Sequence, residues 1–114
     1  MAVSELLQKE DKKIPQEVRG IIEALAEPSR RGITMILAEN TMRKKRGEEL
    51  SFKELLALVK PMNPSTLNHH LKGLMEAGLV ENIYMKKEST SEYSFYKASE
   101  LAIDFLKMVG ARLE

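Results

Sequence analysis

Ser65, Thr66, Asn68, His69 and Lys72 sit in one short stretch whose apolar residues, Leu67, Leu71 and Leu74, recur at intervals of four and three. That spacing predicts a helix from Pro64 to Ala77, with the leucines buried and the five polar residues on the opposite face. All five are hydrogen-bonding side chains, none is acidic, and only Lys72 carries a full charge. Base edges in a duplex major groove are read by this chemistry: an amide such as Asn68 pairs with adenine, and a lysine such as Lys72 reaches guanine or a phosphate. Acidic Glu76 falls at the far end, where such a helix is already leaving the groove.

Other chemistries are poorly supplied. The chain has no cysteine, which removes disulfides, thiolate metal sites and cysteine nucleophiles together. Its two histidines, His69 and His70, are adjacent and point about 100° apart on a helix, so they do not grip one metal jointly. His70 lies on the inner edge, where a packed, hydrogen-bonded structural role is expected. No metal and no cofactor are expected. No Ser–His–Asp order, glycine-rich phosphate loop or paired carboxylates stand out, so an enzyme is not expected.

Charge is unevenly spread. Residues 28–97 carry a net +4, flanked by −2 over 1–27 and −1 over 98–114. The basic run Arg43, Lys44, Lys45, Arg46 lies in a polar stretch over 41–50 and, with Arg30 and Arg31, is a candidate for phosphate contact. A solvated loop is the plainer reading of that run. Lys86, Lys87, Ser89 and Thr90 fall at the tip of a predicted hairpin, where they suit a minor groove or backbone as well as an ordinary turn.

The elements that must position these groups follow from capping and periodicity. Pro15 opens a helix with Ile14, Val18, Ile21, Ile22 and Leu25 on its apolar stripe. Pro28 breaks it, and the next helix buries Ile33, Ile36 and Leu37 and fades near Asn40. Ser51 with Glu54 makes a capping box for a short helix buried through Leu55, Leu58 and Val59. Lys60 to Asn63 form a turn, Asn63 caps the Pro64–Ala77 helix, and Gly78 stops it. Two strand-like runs, 79–86 and 92–98, make a hairpin, and a last helix from about Ser99 carries Leu101, Phe105, Met108 and Val109. The predicted fold is mainly α with a small β-hairpin, in the order α/α/α/α/β/β/α: a winged helix-turn-helix. The 114 residues suit one domain over 14–114, with the helix-turn-helix at 51–77, the wing at 79–98, and an N-terminal arm over 1–13 that is either a frayed helix or disordered.

Leu25–Ala26–Glu27–Pro28–Ser29–Arg30, then Ser65 through Val80, with Tyr96 closing the wing, resemble the arsenical-resistance-repressor (ArsR) family over roughly residues 19–109. The resemblance implies a dimer built through the first and last helices, repression by operator binding, and base-reading positions at Ser65, Thr66, Asn68 and His69. Two departures stand out. Many members sense metal through a cysteine pair on the helix that here runs Phe52 to Val59, and this chain has Leu55, Leu56 and Ala57 there. The basic stretch over 41–50 is also longer than the usual connection.

The terminal helices carry more apolar residues than a small winged helix can bury, which points to a second copy as partner, with Ile14, Val18, Ile21, Leu101, Phe105 and Met108 at the contact. The expected function is a homodimeric, sequence-specific regulator, a repressor, on palindromic double-stranded DNA. The alternative is a winged helix used for protein–protein contact in a transcription assembly; the acid-free face favours DNA. A small-molecule pocket between the terminal helices would add to DNA binding, and the sequence names no effector. Met1–Lys13 has no uninterrupted apolar stretch of signal-peptide length and no run spans a membrane, so a soluble cytoplasmic protein is expected.

Overall fold

Ser51 and Glu54 close the capping box that their spacing predicts: Glu54 N–H donates to Ser51 Oγ at 3.1 Å, and Ser51 N–H donates to Glu54 Oε1 at 3.0 Å. This fixes the start of the helix-turn-helix in the computed structural model, which describes residues 3–43, 49–84 and 94–113. The elements run α1 (Val3–Asp11), α2 (Gln16–Ala26), α3 (Pro28–Arg43), β1 (Leu50–Ser51), α4 (Phe52–Leu58), α5 (Pro64–Glu76), β2 (Val80–Tyr84), β3 (Ser94–Ala98) and α6 (Glu100–Met108).

The turn between α4 and α5 ends at Asn63, whose side chain accepts from Thr66 N–H at 2.8 Å, while Pro64 takes the first helical position, where its missing N–H costs nothing. Gly78, at φ +78°, ends α5 in the left-handed region; Leu79 N–H then returns to the Leu74 carbonyl at 3.0 Å. Ser99 joins wing to last helix. Its hydroxyl accepts from Ala102 N–H at 3.1 Å and donates to the Gly78 carbonyl at 2.7 Å, so the ends of α5 and the start of α6 are tied together.

The core collects the inward faces of these elements. Leu37 of α3, Leu55 of α4, Leu67, Leu71 and Leu74 of α5, Leu79 and Phe95 are all fully buried. Each buried leucine contributes about 1.5–3 kcal/mol of transfer free energy, which makes the inner face of α5 its anchor.

Four features depart from the sequence reading. Leu58 of α4, expected in the core, is 59% exposed, so that helix is buried through Leu55, with Val59 half-buried. The sheet has three strands in the order β1-β3-β2, all antiparallel, because Leu50 and Ser51 pair with Tyr96 and Phe95. A two-residue strand is too short to show a period. α3 runs past Asn40 to Arg43, its last turn held where Thr41 Oγ1 accepts from Ala98 N–H at 3.1 Å. Ile21 is 4% exposed and lies in the chain's own core beside Ala24 and Leu25, so it is withdrawn from the expected contact surface. Its place on the stripe matches the exposed residues; its direction, toward α3, does not. Residues 3–11 of the N-terminal arm are helical, with Leu6 and Leu7 exposed.

Candidate nucleic-acid interface

With the three leucines of α5 buried, helical geometry turns Ser65, Thr66, Asn68, His69 and Lys72 outward together, and all five are exposed. They make one polar, acid-free face just beyond the Asn63 cap. His69 and His70 diverge as adjacent helical residues must, with ring centroids 5.8 Å apart and ring planes 51° apart. Glu76 is exposed at the C-terminal end.

The pose of α5 is set from α3. His70 side chain is only 13% exposed, and its Nδ1 accepts from Arg30 Nε at 3.2 Å. Arg30 is itself held: its backbone N–H donates to Glu27 Oε2 at 2.8 Å, and its carbonyl accepts from Thr34 Oγ1 at 2.8 Å. The same Glu27 oxygen stands 3.8 Å from His70 Nδ1. The Arg30 backbone N–H holds the Glu27 carboxyl below its ordinary range, helped by the Ser29 N–H and by the nearby His70 and Arg30, against a smaller opposing effect of burial. Gly73 completes the arrangement. The Arg30 guanidinium lies over it so closely that a Cβ at that position would stand 2.7 Å from Arg30 Cζ and Nη1.

Arg30, expected as a candidate for phosphate contact, bonds His70 through Nε and covers Gly73. The trace of this in the sequence is the Glu27–Arg30 spacing of three, the geometry of a side-chain cap. His70 has the packed, hydrogen-bonded place expected of it. Arg31 turns the other way, Nη1 donating to the carbonyls of Leu25 at 3.0 Å and Ala26 at 3.1 Å.

Arg43 is exposed on the last turn of α3, its Nε donating to the Glu39 carbonyl at 3.2 Å. Lys44, Lys45 and Arg46 lie outside the described residues, as do Lys86, Lys87, Ser89 and Thr90 of the expected hairpin tip. The strands below that tip are pinned by a residue that periodicity does not single out: Asn82 Nδ2 donates to Ser94 Oγ at 2.8 Å and to the Phe95 carbonyl at 2.9 Å. Tyr84, 78% exposed at the end of β2, extends the outer surface of the wing. Tyr96 is half-buried and stacks obliquely on Phe52, tying the sheet to α4. Ile14, Val18, Leu101 and Met108 are exposed, and Phe105 is half-buried.

A family model described as a helix-turn-helix domain matches residues 25–83, just over half of the chain. The chain belongs to this helix-turn-helix family. Its fold is that of an ArsR-like transcriptional regulator from Rhodococcus sp. RHA1, with a TM-score of 0.58 at 21% identity over 83% of this chain and 80% of that one. It is also similar in fold to a structure described as a possible HxlR family transcriptional factor from Thermoplasma volcanium GSS1. There the TM-score is 0.52 at 14% identity, over 79% of this chain and 72% of the other. No curated protein matches the sequence. The chain thus carries a helix-turn-helix domain on a fold shared with these regulators, and it has no cysteine. Among the described residues no three metal-ligating side chains cluster, and no helix is long and apolar enough to cross a membrane.

Proposed function

We propose that this protein is a sequence-specific, homodimeric repressor that sets two copies of α5 into successive major grooves of an imperfect palindrome, about 34 Å apart. The observation that carries this reading is the outer face of α5, where Ser65, Thr66, Asn68, His69 and Lys72 are all exposed and none is acidic, directly behind three fully buried leucines. Asn68 and His69 read bases; Lys72 reaches a guanine or the backbone. Arg43, with Lys44, Lys45 and Arg46, and the wing residues Lys86 and Lys87 hold phosphates. Ile14, Val18, Leu101, Phe105 and Met108 form the contact between copies; Ile21 backs it from inside. The protein works in the cytoplasm.

The test is fluorescence anisotropy on a labelled random duplex at low and moderate salt, then on a selected operator. Micromolar binding to the random duplex that collapses with salt is expected. Replacing Asn68 and His69 together with alanine should cost at least tenfold in operator affinity, at about 1–3 kcal/mol per lost base contact, and leave the melting temperature unchanged. Operator affinity that survives the double substitution sinks the assignment of α5 as reader. No binding at low salt points to the protein–protein use of the fold.

A further inference from the structure

On the side of α3 away from α5 lies an open groove of about 570 Å³ against α6. Its walls are Pro28, Gly32 and Met35 of α3 and Phe105, Val109 and Ala111 of α6 and the turn after it. Among the described residues, Arg31 is the one ionisable side chain that lines it. The Arg31 guanidinium is fixed by the two carbonyl bonds of Nη1, which leaves Nε and Nη2 without a partner among the described residues. No carboxylate of those residues comes within ion-pair distance of it. Gly32 leaves the groove open: a Cβ added there meets nothing within 4 Å.

We propose that this groove binds a small monocarboxylate with an apolar body, the carboxylate on Arg31 Nε and Nη2 and the body along Met35, Phe105 and Val109. The fork of a guanidinium matches a carboxylate in two parallel hydrogen bonds. With one cation and otherwise apolar walls, a dianion such as phosphate would bring an uncompensated charge into the groove, whereas a monoanion is balanced. The volume suits a ligand of this size. A second copy of the chain fits less well. Leu101 and Met108, seven residues apart on α6, share the face proposed for dimerisation; Phe105 borders both that face and the groove, and Val109 turns furthest from it toward α3.

The site deepens the proposed function, and rests on it for one consequence only. Arg30, the residue next to Arg31, braces α5 through His70, so a ligand that draws on Arg31 acts on the helix segment that positions the DNA-reading face.

The experiment is a titration of the full chain, labelled at its methionine methyl groups, with octanoate, followed at the Met35 resonance by NMR. A saturating shift with one octanoate per chain is expected. Octan-1-ol and the Arg31→Gln variant should each bind at least about tenfold more weakly, the loss of one charge-assisted contact. Gly32→Leu should abolish the shift; it fills the groove and improves helix propensity, so the variant stays folded. The proposal is overturned by the absence of a saturating Met35 shift, by equal affinity for octanol, or by octanoate binding that survives Gly32→Leu. It is also overturned if Gly32→Leu changes the sedimenting species, which would make the groove a contact between copies. Binding is read without DNA, so failure of the DNA-binding reading leaves this test intact.

Discussion

Gly73→Ala isolates the contact that positions the recognition helix. Glycine inside a helix costs about 1 kcal/mol relative to alanine, so on propensity alone the substitution stabilises the protein. The new methyl group, however, would occupy the place of the Arg30 guanidinium, at 2.7 Å from Cζ and Nη1 and 2.9 Å from Nη2. Arg30 must swing away, and its bond to His70 Nδ1 goes with it. A hydrogen bond with one charged partner, here only partly buried, is worth about 1.5 kcal/mol. The net effect of Gly73→Ala in the native protein should therefore be a loss of about 0.5 kcal/mol. In an Arg30→Ala background those guanidinium contacts are gone, and the same substitution should stabilise by about 1 kcal/mol. The sign reverses between backgrounds, and the coupling energy is about 1.5 kcal/mol. Urea denaturation of the four proteins, at one pH and with a common slope, reads it directly. Effects of Gly73→Ala that agree within about 0.3 kcal/mol in the two backgrounds would refute the bracing argument.

Three further outcomes follow from named contacts. Ser51→Ala should cost about 1–2 kcal/mol in urea denaturation, because it opens the capping box of α4 and leaves the Glu54 N–H unpaired beside a buried strand end. Met108→Asp, at a side chain 75% exposed, should turn the proposed dimer into a folded monomer in sedimentation while the circular dichroism spectrum is retained; an unchanged sedimentation coefficient would remove α6 from the contact. Glu27→Gln should flatten part of the acid dependence of stability. The carboxyl is held below its ordinary value when folded, so its contribution is fully present above the unfolded value of about 4.3 and is lost as pH falls through the folded one. Melting curves of the two proteins should converge in acid and separate toward neutrality.

Much of this protein was legible along the chain because its signals are local. The Ser51–Glu54 box, Asn63 before Pro64, and Gly78 after α5 each act within one or two turns, so residue type and spacing determine them without reference to the rest of the fold. The outward face of α5 was legible for the same reason: once Leu67, Leu71 and Leu74 face inward, helical geometry leaves Ser65, Thr66, Asn68, His69 and Lys72 outside. Direction toward non-local neighbours was not legible. Ile21 lies on the same stripe as Val18, and only the packing of α2 on α3 makes one core and the other surface. β1 exists because β3 offers it partners more than forty residues away, and two residues carry no period of their own. Arg30 looks like any exposed cation near a helix start; that it lies over Gly73 and bonds His70, forty residues on, follows from how α3 crosses α5. Short-range hydrogen bonding and helical periodicity fixed the elements and their faces, while the crossing of those elements, set by how their side chains fill a shared core, decided which exposed groups act together.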